Sequence, residues 1–425
     1  MIPVSEYQNR RAAFLSKMQE GSMAILFAGV AKTSSADEFF PFEVNRNFYY
    51  LTGIDQEDSV LVLIKADGEE REFLLVSPFD PVKEKWYGKK LTVEEASQLS
   101  GIRNVVLNTA LASRVESAIS GNFSDFGPIH RIYLDMEEEH KIAQGMYMED
   151  YRKTLLALCK SLEIYNAYEM IVELRQVKSP NEIAEFRAAI EATKIGIASA
   201  MAKIRPGAYE YEIADEFHRV INDNSGYQGC AFPTILASGV HTTCLHYPTP
   251  VDRIKQGDLV LMDLGSRNGY YCADVSRTVP ADGVFSDLQK TIYKIVLEAN
   301  KAVAAFARPG RTIKELQDFT VEYLASECLA KKLIKSKEEI KEYYFHGVSH
   351  HIGLDTHDPG DPKKSKPLVP GNVISDEPGL YFKELGIGVR IEDDLLITAD
   401  GCEVLTKDIM KEIADIESFY KYRQQ

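Results

Sequence analysis

Long apolar runs, paired cysteines and an excess of positive charge are all missing from this chain of 425 residues. No apolar stretch reaches the roughly 20 residues that a membrane-spanning helix needs. The first residues, Met-Ile-Pro-Val-Ser-Glu-Tyr-Gln, lack the basic start and apolar stretch of a signal peptide, so a cytoplasmic protein without a membrane partner is expected. The six cysteines, at 159, 230, 244, 272, 328 and 402, form no Cys-x-x-Cys pair, and thiols scattered in this way read as reduced. Lys and Arg number 49 against 64 Asp and Glu, a net charge of −15. That balance argues against a nucleic-acid groove or an anionic lipid surface as partner. Tryptophan occurs once, and Trp86 is expected in the core with the run Phe48-Tyr49-Tyr50.

A chain of this length exceeds one ordinary core, so two domains are expected. Apolar runs 23–30 and 59–65 predict strands, and Ala66-Asp67-Gly68 turns the second into a strand over 72–76. A helix over 93–100, strands over 104–107 and 131–134, and one long helix over 150–175 complete an α/β first domain, placed at 1–170. It offers no cluster with metal-ligand spacing. The second domain, 171–425, opens at Lys178-Ser179-Pro180, where Ser179 or Asn181 caps the helix that follows. This half of the chain carries a faint internal duplication. Arg205-Pro206-Gly207 is followed by Glu212-Ile213 and Asp215, and Arg308-Pro309-Gly310 is followed at the same offsets by Glu315-Leu316 and Asp318. Each copy lies between two helical runs and precedes an apolar strand pair bearing acids. Two such halves would bring two acidic hairpins together around a pseudo-twofold axis.

The first acidic hairpin is the most informative segment, Leu259 to Thr278. Asn268-Gly269 between two apolar runs is a strong hairpin signal, because a type I′ turn needs positive φ at both central residues. With the turn there, Asp263 faces Asp274 on one side of the sheet. Two opposed carboxylates repel, and a bound cation would turn that cost into affinity. The second strand pair supplies Glu377 and Glu392. Buried acids are rare unless paired or metal-bound, and two divalent ions would balance four carboxylates. An imidazole is at hand in His346-Gly347-Val348-Ser349-His350-His351, with His357 close behind. Oxygen-rich sites with one or two imidazoles suit Mn, Co, Fe or Zn.

The order Asp263, Asp274, His346-Gly-Val-Ser-His350, Glu377-Pro-Gly-Leu-Tyr381, Arg390-Ile-Glu392-Asp-Asp resembles the pita-bread metallopeptidases, and within them the Xaa-Pro aminopeptidases (aminopeptidase P). Lys178-Ser179-Pro180, Leu245-His246-Tyr247 and Gly353-Leu354-Asp355-Thr356-His357-Asp358 match as well. Arg46-Asn47-Phe48-Tyr49-Tyr50-Leu51-Thr52-Gly53 is similar to the creatinase-type N-terminal domain of those enzymes. The resemblance implies an α/β (α+β) chain with a pita-bread catalytic domain after that N-terminal domain. It implies two divalent ions, with manganese the expectation, held by Asp263, Asp274, His350, Glu377 and Glu392. Asp274 would reach both ions and Glu392 would bridge them. Glu377 would also move the proton, His246 and His357 would line the reacting carbonyl, and His346, Tyr381 and Arg390 would receive the proline ring. Asp376 stands where relatives usually carry an apolar residue.

The implied activity is hydrolysis of the N-terminal Xaa-Pro bond through a hydroxide held between the ions. The scissile nitrogen there is tertiary and has no N–H for a peptidase to grip. The implied partners are peptides with proline in second place and further copies of the chain, as a homodimer or homotetramer. The alternatives are an Xaa-Pro dipeptidase (prolidase), metal-free creatinase-type hydrolysis, and a peptide-binding module on the same scaffold.

Overall fold

The computed structural model describes residues 2–120, 126, 129–136, 144–225 and 229–423. The chain divides into two compact units, Ile2–Arg175 and Gln176–Gln425. Together they form a mixed α/β protein.

The first unit is built on a six-stranded mixed sheet. In spatial order its strands are Asn104–Leu107, Glu69–Val76, Val60–Ala66, Ser22–Phe27, Arg131–Leu134 and Glu163–Asn166. The Asp67-Gly68 turn joins the pair Ala66↔Glu69, with φ of 59° and 72° at its two residues. Met23, Ile25, Val62, Ile64, Phe73 and Ile132 pack in the core on this sheet. The long helix expected over 150–175 is instead two helices, Gln144–Leu158 and Tyr168–Gln176, with the strand Glu163–Asn166 between them. Pairing of that strand with Arg131–Leu134 overrides the helical periodicity, and Asn166 Oδ1 then accepts from Tyr168 N at 2.9 Å to start the next helix. Phe48 and Tyr50 are core residues as expected, but Trp86 is 78% exposed. Its helix, Pro81–Tyr87, buries none of its residues.

The second unit repeats one succession of elements. Helix Pro180–Lys203 leads through Arg205-Pro206-Gly207 to helix Glu210–Ser225, and helix Asp287–Phe306 leads through Arg308-Pro309-Gly310 to helix Ile313–Ala330. Ser179 caps the first in a capping box with Glu182, and Pro180 occupies the opening turn. Gly207 and Gly310 adopt φ of 89° and 87°, a conformation that favours glycine. Their amides donate to Ile254 O at 2.8 Å and Leu368 O at 2.9 Å. Each half then delivers an antiparallel ribbon, Leu259–Leu264 with Val275–Pro280, and Val373–Asp376 with Asp393–Ile397.

Candidate active site

The first ribbon turns one residue later than the Asn-Gly signal suggests. Arg267 pairs with Cys272 and Asn268 with Tyr271, so Gly269 and Tyr270 hold the turn, with φ of 54° and 72°. The Arg267 guanidinium lies 5.0 Å from the Tyr270 ring and offsets part of the cost of that backbone. Moving the turn by one residue moves every cross-strand partner by two. Asp263 therefore faces Ser276, not Asp274. A shift of two keeps the side-chain face, so Asp274 remains on the same side, one diagonal step away.

The second ribbon keeps one register from Val373↔Leu396 through Asp376↔Asp393 to Gly379↔Arg390, which sets Glu377 across from Glu392. The ribbons meet edge to edge. Glu392 N donates to Ser276 O at 3.0 Å, and Ser276 Oγ donates to Glu392 Oε2 at 2.8 Å. Arg390 Nε in turn donates to Ser276 Oγ at 2.8 Å.

The histidine segment runs beside the second ribbon. His350 N donates to Ser375 Oγ at 3.0 Å, Ser375 N to His350 O at 2.9 Å, and Glu377 N to Val348 O at 3.0 Å. His350 Nδ1 lies 3.0 Å from the His351 carbonyl. A carbonyl only accepts, so in the neutral ring Nδ1 carries the proton and Nε2 turns its lone pair inward. That Nε2 stands 3.5 Å from Asp274 Oδ2 and 3.4 Å from Glu377 Oε1. Ligand atoms of Asp274, His350 and Glu392 all lie within 4.8 Å of one another.

Charge is crowded at this centre. Burial, and then the neighbouring Asp263, Asp394 and Glu377 charges, push the Asp274 carboxyl well up. Burial and the Asp274 and Glu377 charges do the same to Glu392. Burial raises Asp263 as well, against the pull of Arg390. Asp263 Oδ1 is buried without a hydrogen-bond partner. Four carboxylates, an inward-facing imidazole nitrogen and an orphaned buried oxygen make a donor set that fits divalent cations, with no thiolate among them.

A hydrogen-bonded chain links the expected proline-pocket residues to these acids. His346 Nε2 lies 2.9 Å from the Tyr381 hydroxyl, Arg390 Nη1 donates to that hydroxyl at 3.2 Å, and Arg390 Nη2 reaches Asp263 Oδ2 at 2.6 Å. His346 Nδ1 stands 3.6 Å from Glu377 Oε2. Burial pushes the Tyr381 phenol up to about 12.

The remaining histidines divide. The His357 ring sits 4.3 Å from the His350 ring, nearly edge-on, and burial followed by the His350 charge lowers it to about 4. His246 is exposed, near enough for its charge to act on His357. His351 instead bridges to Asp358 and Ile374. Asp376, next to Glu377, points to the opposite face of the strand, where Asn300 Nδ2 donates to its Oδ2 at 3.2 Å. Ser276 and Ser375 escaped the reading of the sequence, although each lies two residues along a strand from an acid of the site and so shares its face; Ser375 Oγ donates to Glu377 Oε1 at 3.2 Å. So did Asp394, which accepts from Asp274 N at 3.3 Å.

Residues 184–399 match metallopeptidase family M24, and residues 7–124 match the aminopeptidase P N-terminal domain. The chain is 33% identical to the Xaa-Pro aminopeptidase of Escherichia coli (strain K12) over 98% of both chains. It is 32% identical to the Xaa-Pro aminopeptidase of Haemophilus influenzae, over 99% of this chain and 98% of that one. A putative aminopeptidase P from Bacillus anthracis superimposes with a TM-score of 0.95 at 39% identity, over 99% of each chain. Aminopeptidase P from E. coli with the inhibitor Pro-Leu gives a TM-score of 0.90 at 32% identity, over 100% of this chain and 99% of that one. Two acidic ribbons meeting at a shared imidazole, on a scaffold these enzymes share from end to end, place the chain in metallopeptidase family M24, among the aminopeptidase P enzymes.

Proposed function

We propose that this enzyme removes the first residue from peptides whose second residue is proline. The observation that carries the reading is the approach of Asp274, His350 and Glu392 within 4.8 Å, beside the His346–Tyr381–Arg390 chain. Relatives named Xaa-Pro aminopeptidase support it, and they do not favour the dipeptidase alternative.

In this reading Asp263, Asp274, His350, Glu377 and Glu392 would hold two divalent ions, with Asp274 and Glu392 serving both and manganese the expected metal. Bound there, such ions would polarise a carbonyl and acidify water. Glu377, steadied by Ser375, accepts the proton of the attacking water and returns it to the departing nitrogen. His357, neutral at physiological pH, presents a ring N–H to the developing oxyanion, with His246 beside it. The His346 and Tyr381 rings make a wall for the proline ring, which offers no N–H and is selected by shape.

Among the described residues no helix is long and apolar enough to cross a membrane, and the six cysteines are all free. Those thiols support a cytoplasmic setting as part of the same proposal. Self-association as a dimer or tetramer belongs to it too, supported by the exposed Phe79, Trp86 and Tyr87 of the first unit.

The deciding experiment is elemental analysis beside cleavage of a short proline peptide, repeated on Asp274→Ala. Stoichiometric metal with release of the first residue is expected from the parent protein, and neither from the variant. Full turnover after exhaustive chelation would remove the reading.

A further inference from the structure

Glu210 is a carboxylate with no exposed surface, remote in sequence from every acid of the site. It opens helix Glu210–Ser225, and both of its oxygens are used. Oε1 accepts from Ser238 N at 2.8 Å and from Ser238 Oγ at 2.7 Å. Oε2 accepts from Asp252 N at 3.1 Å, and Glu210 N donates back to Asp252 O at 3.0 Å. Ser238 and Asp252 are the two ends of the loop 239–251, the segment that carries His246.

The same carboxylate also faces the middle of that loop. Burial, and then the Glu210 charge, push the Tyr247 phenol up to about 12, so it stays a neutral hydroxyl beside that carboxylate. The His241 ring stacks on Tyr247 at 4.5 Å and 18°, with its Nδ1 3.7 Å from Glu210 Oε1. The loop leans in turn on the pocket strand. Thr242 Oγ1 accepts from Gly388 N at 2.8 Å, and a Cβ on Gly388 would stand 2.1 Å from Thr242 O, so the two backbones meet where only glycine fits. Arg390 lies two residues further along that strand.

We infer that Glu210 is a positioning residue for the hydrolysis: it fastens both ends of the loop 239–251, faces its centre, and so fixes where His246 stands at the rim of the site. The inference rests on the proposed role of His246 at the reacting carbonyl. A loop closed by one buried group shifts as a whole when that group is altered, and a misplacement near 1 Å costs about 100-fold in rate.

The test uses the metal-loaded full chain with Glu210→Gln, Tyr247→Phe, His246→Ala and the Glu210→Gln/His246→Ala double variant, assayed on a proline-containing tripeptide. Glutamine keeps the shape but sets an amide donor against one of the donors that Glu210 accepts. For Glu210→Gln, kcat is expected to fall about 10- to 100-fold with KM within about threefold and metal content unchanged. The double variant is expected to be no slower than His246→Ala, because both changes remove one function. Hydrogen exchange should quicken in 239–251 and nowhere near Asp263, Asp274 or Glu392. Losses that multiply in the double variant, or a normal kcat with a loosened loop, would overturn the inference. If Glu210→Gln fails to fold, Tyr247→Phe carries the same comparison, with a kcat loss of about threefold to tenfold that vanishes on the His246→Ala background. A parent enzyme inactive on every proline peptide would sink the proposed function instead, and unchanged exchange in 239–251 would then still overturn the clamp.

Discussion

Asp263 and Glu377 occupy one place in two copies of a structural unit. Asp263 follows Ile254 by as many residues as Glu377 follows Leu368, and each of those apolar residues accepts the amide of an Arg-Pro-Gly glycine. Between them Lys255 N donates to Asp258 Oδ2 at 2.8 Å in one copy, and Val369 N to Asn372 Oδ1 at 2.9 Å in the other. The glycines inside the two turns, Gly257 and Gly371, have φ of 83° and 93°. A duplicated ribbon thus brings one acid from each half to a shared centre.

Metal removal is the first prediction. The raised Asp274 and Glu392 carboxyls mean that crowding these acids together costs the fold stability and that cations relieve the cost. Chelation should lower the melting temperature, and saturating metal at about 100 times its Kd should restore about 2.7 kcal/mol. Asp274→Ala should melt at one temperature with or without metal, read by calorimetry.

Arg390 is buried and serves Asp263, Ser276 and Tyr381 through three different nitrogens. Lysine keeps the charge but not the fork. Arg390→Lys should lower kcat/KM about 100-fold, and Arg390→Met, which strands Asp263, should destabilise the protein by about 3–5 kcal/mol. Steady-state kinetics and urea unfolding separate the two effects.

Gly265 lies where a Cβ would stand 1.9 Å from the Ala273 carbonyl oxygen, two residues beyond Asp263 on the way to the hairpin turn. Gly265→Ala must push the strands apart under Asp274. A loss of about 3 kcal/mol is expected, with metal affinity falling alongside, measured by thermal melting and metal titration.

A pH effect is expected in the first unit, away from the metal centre. Burial raises the Asp135 carboxyl, against the help of Asn47 and Arg175. An acid with a raised folded-state pKa contributes stability below its unfolded value and loses it as pH rises through the folded one. Asp135→Asn removes that loss. Its melting temperature relative to the parent should therefore be higher at neutral pH than near pH ~4.5, by about 2–4 °C for each kcal/mol relieved. An offset that does not change with pH would refute this.

Much of the site was legible because its acids lie in apolar strands and its imidazoles cluster in one segment. Asp263, Asp274, Glu377 and Glu392 could be singled out from residue type and order, whereas His350 was picked from its histidine cluster by the family resemblance. The cross-strand pairing of the acids could not be read in this way. Asn268-Gly269 offered a good local turn, but the chain turns at Gly269-Tyr270, where Arg267 covers the Tyr270 ring. The strand Glu163–Asn166 was hidden inside a helical pattern: an open sheet edge on Arg131–Leu134 outweighs local periodicity. Trp86 misled in the opposite direction, since its composition says core and its helix buries nothing.

Sequence alone determined the chemistry available to this protein: which carboxylates and imidazoles it owns, in which order, and on strands that force them out of water. Tertiary structure decided who touches whom. It set Asp263 against Arg390, gave Glu392 to Ser276, and used the distant Glu210 to close the loop of His246. Residue type fixes a side chain's charge and period, whereas register and long-range contact depend on packing energies summed over the whole fold.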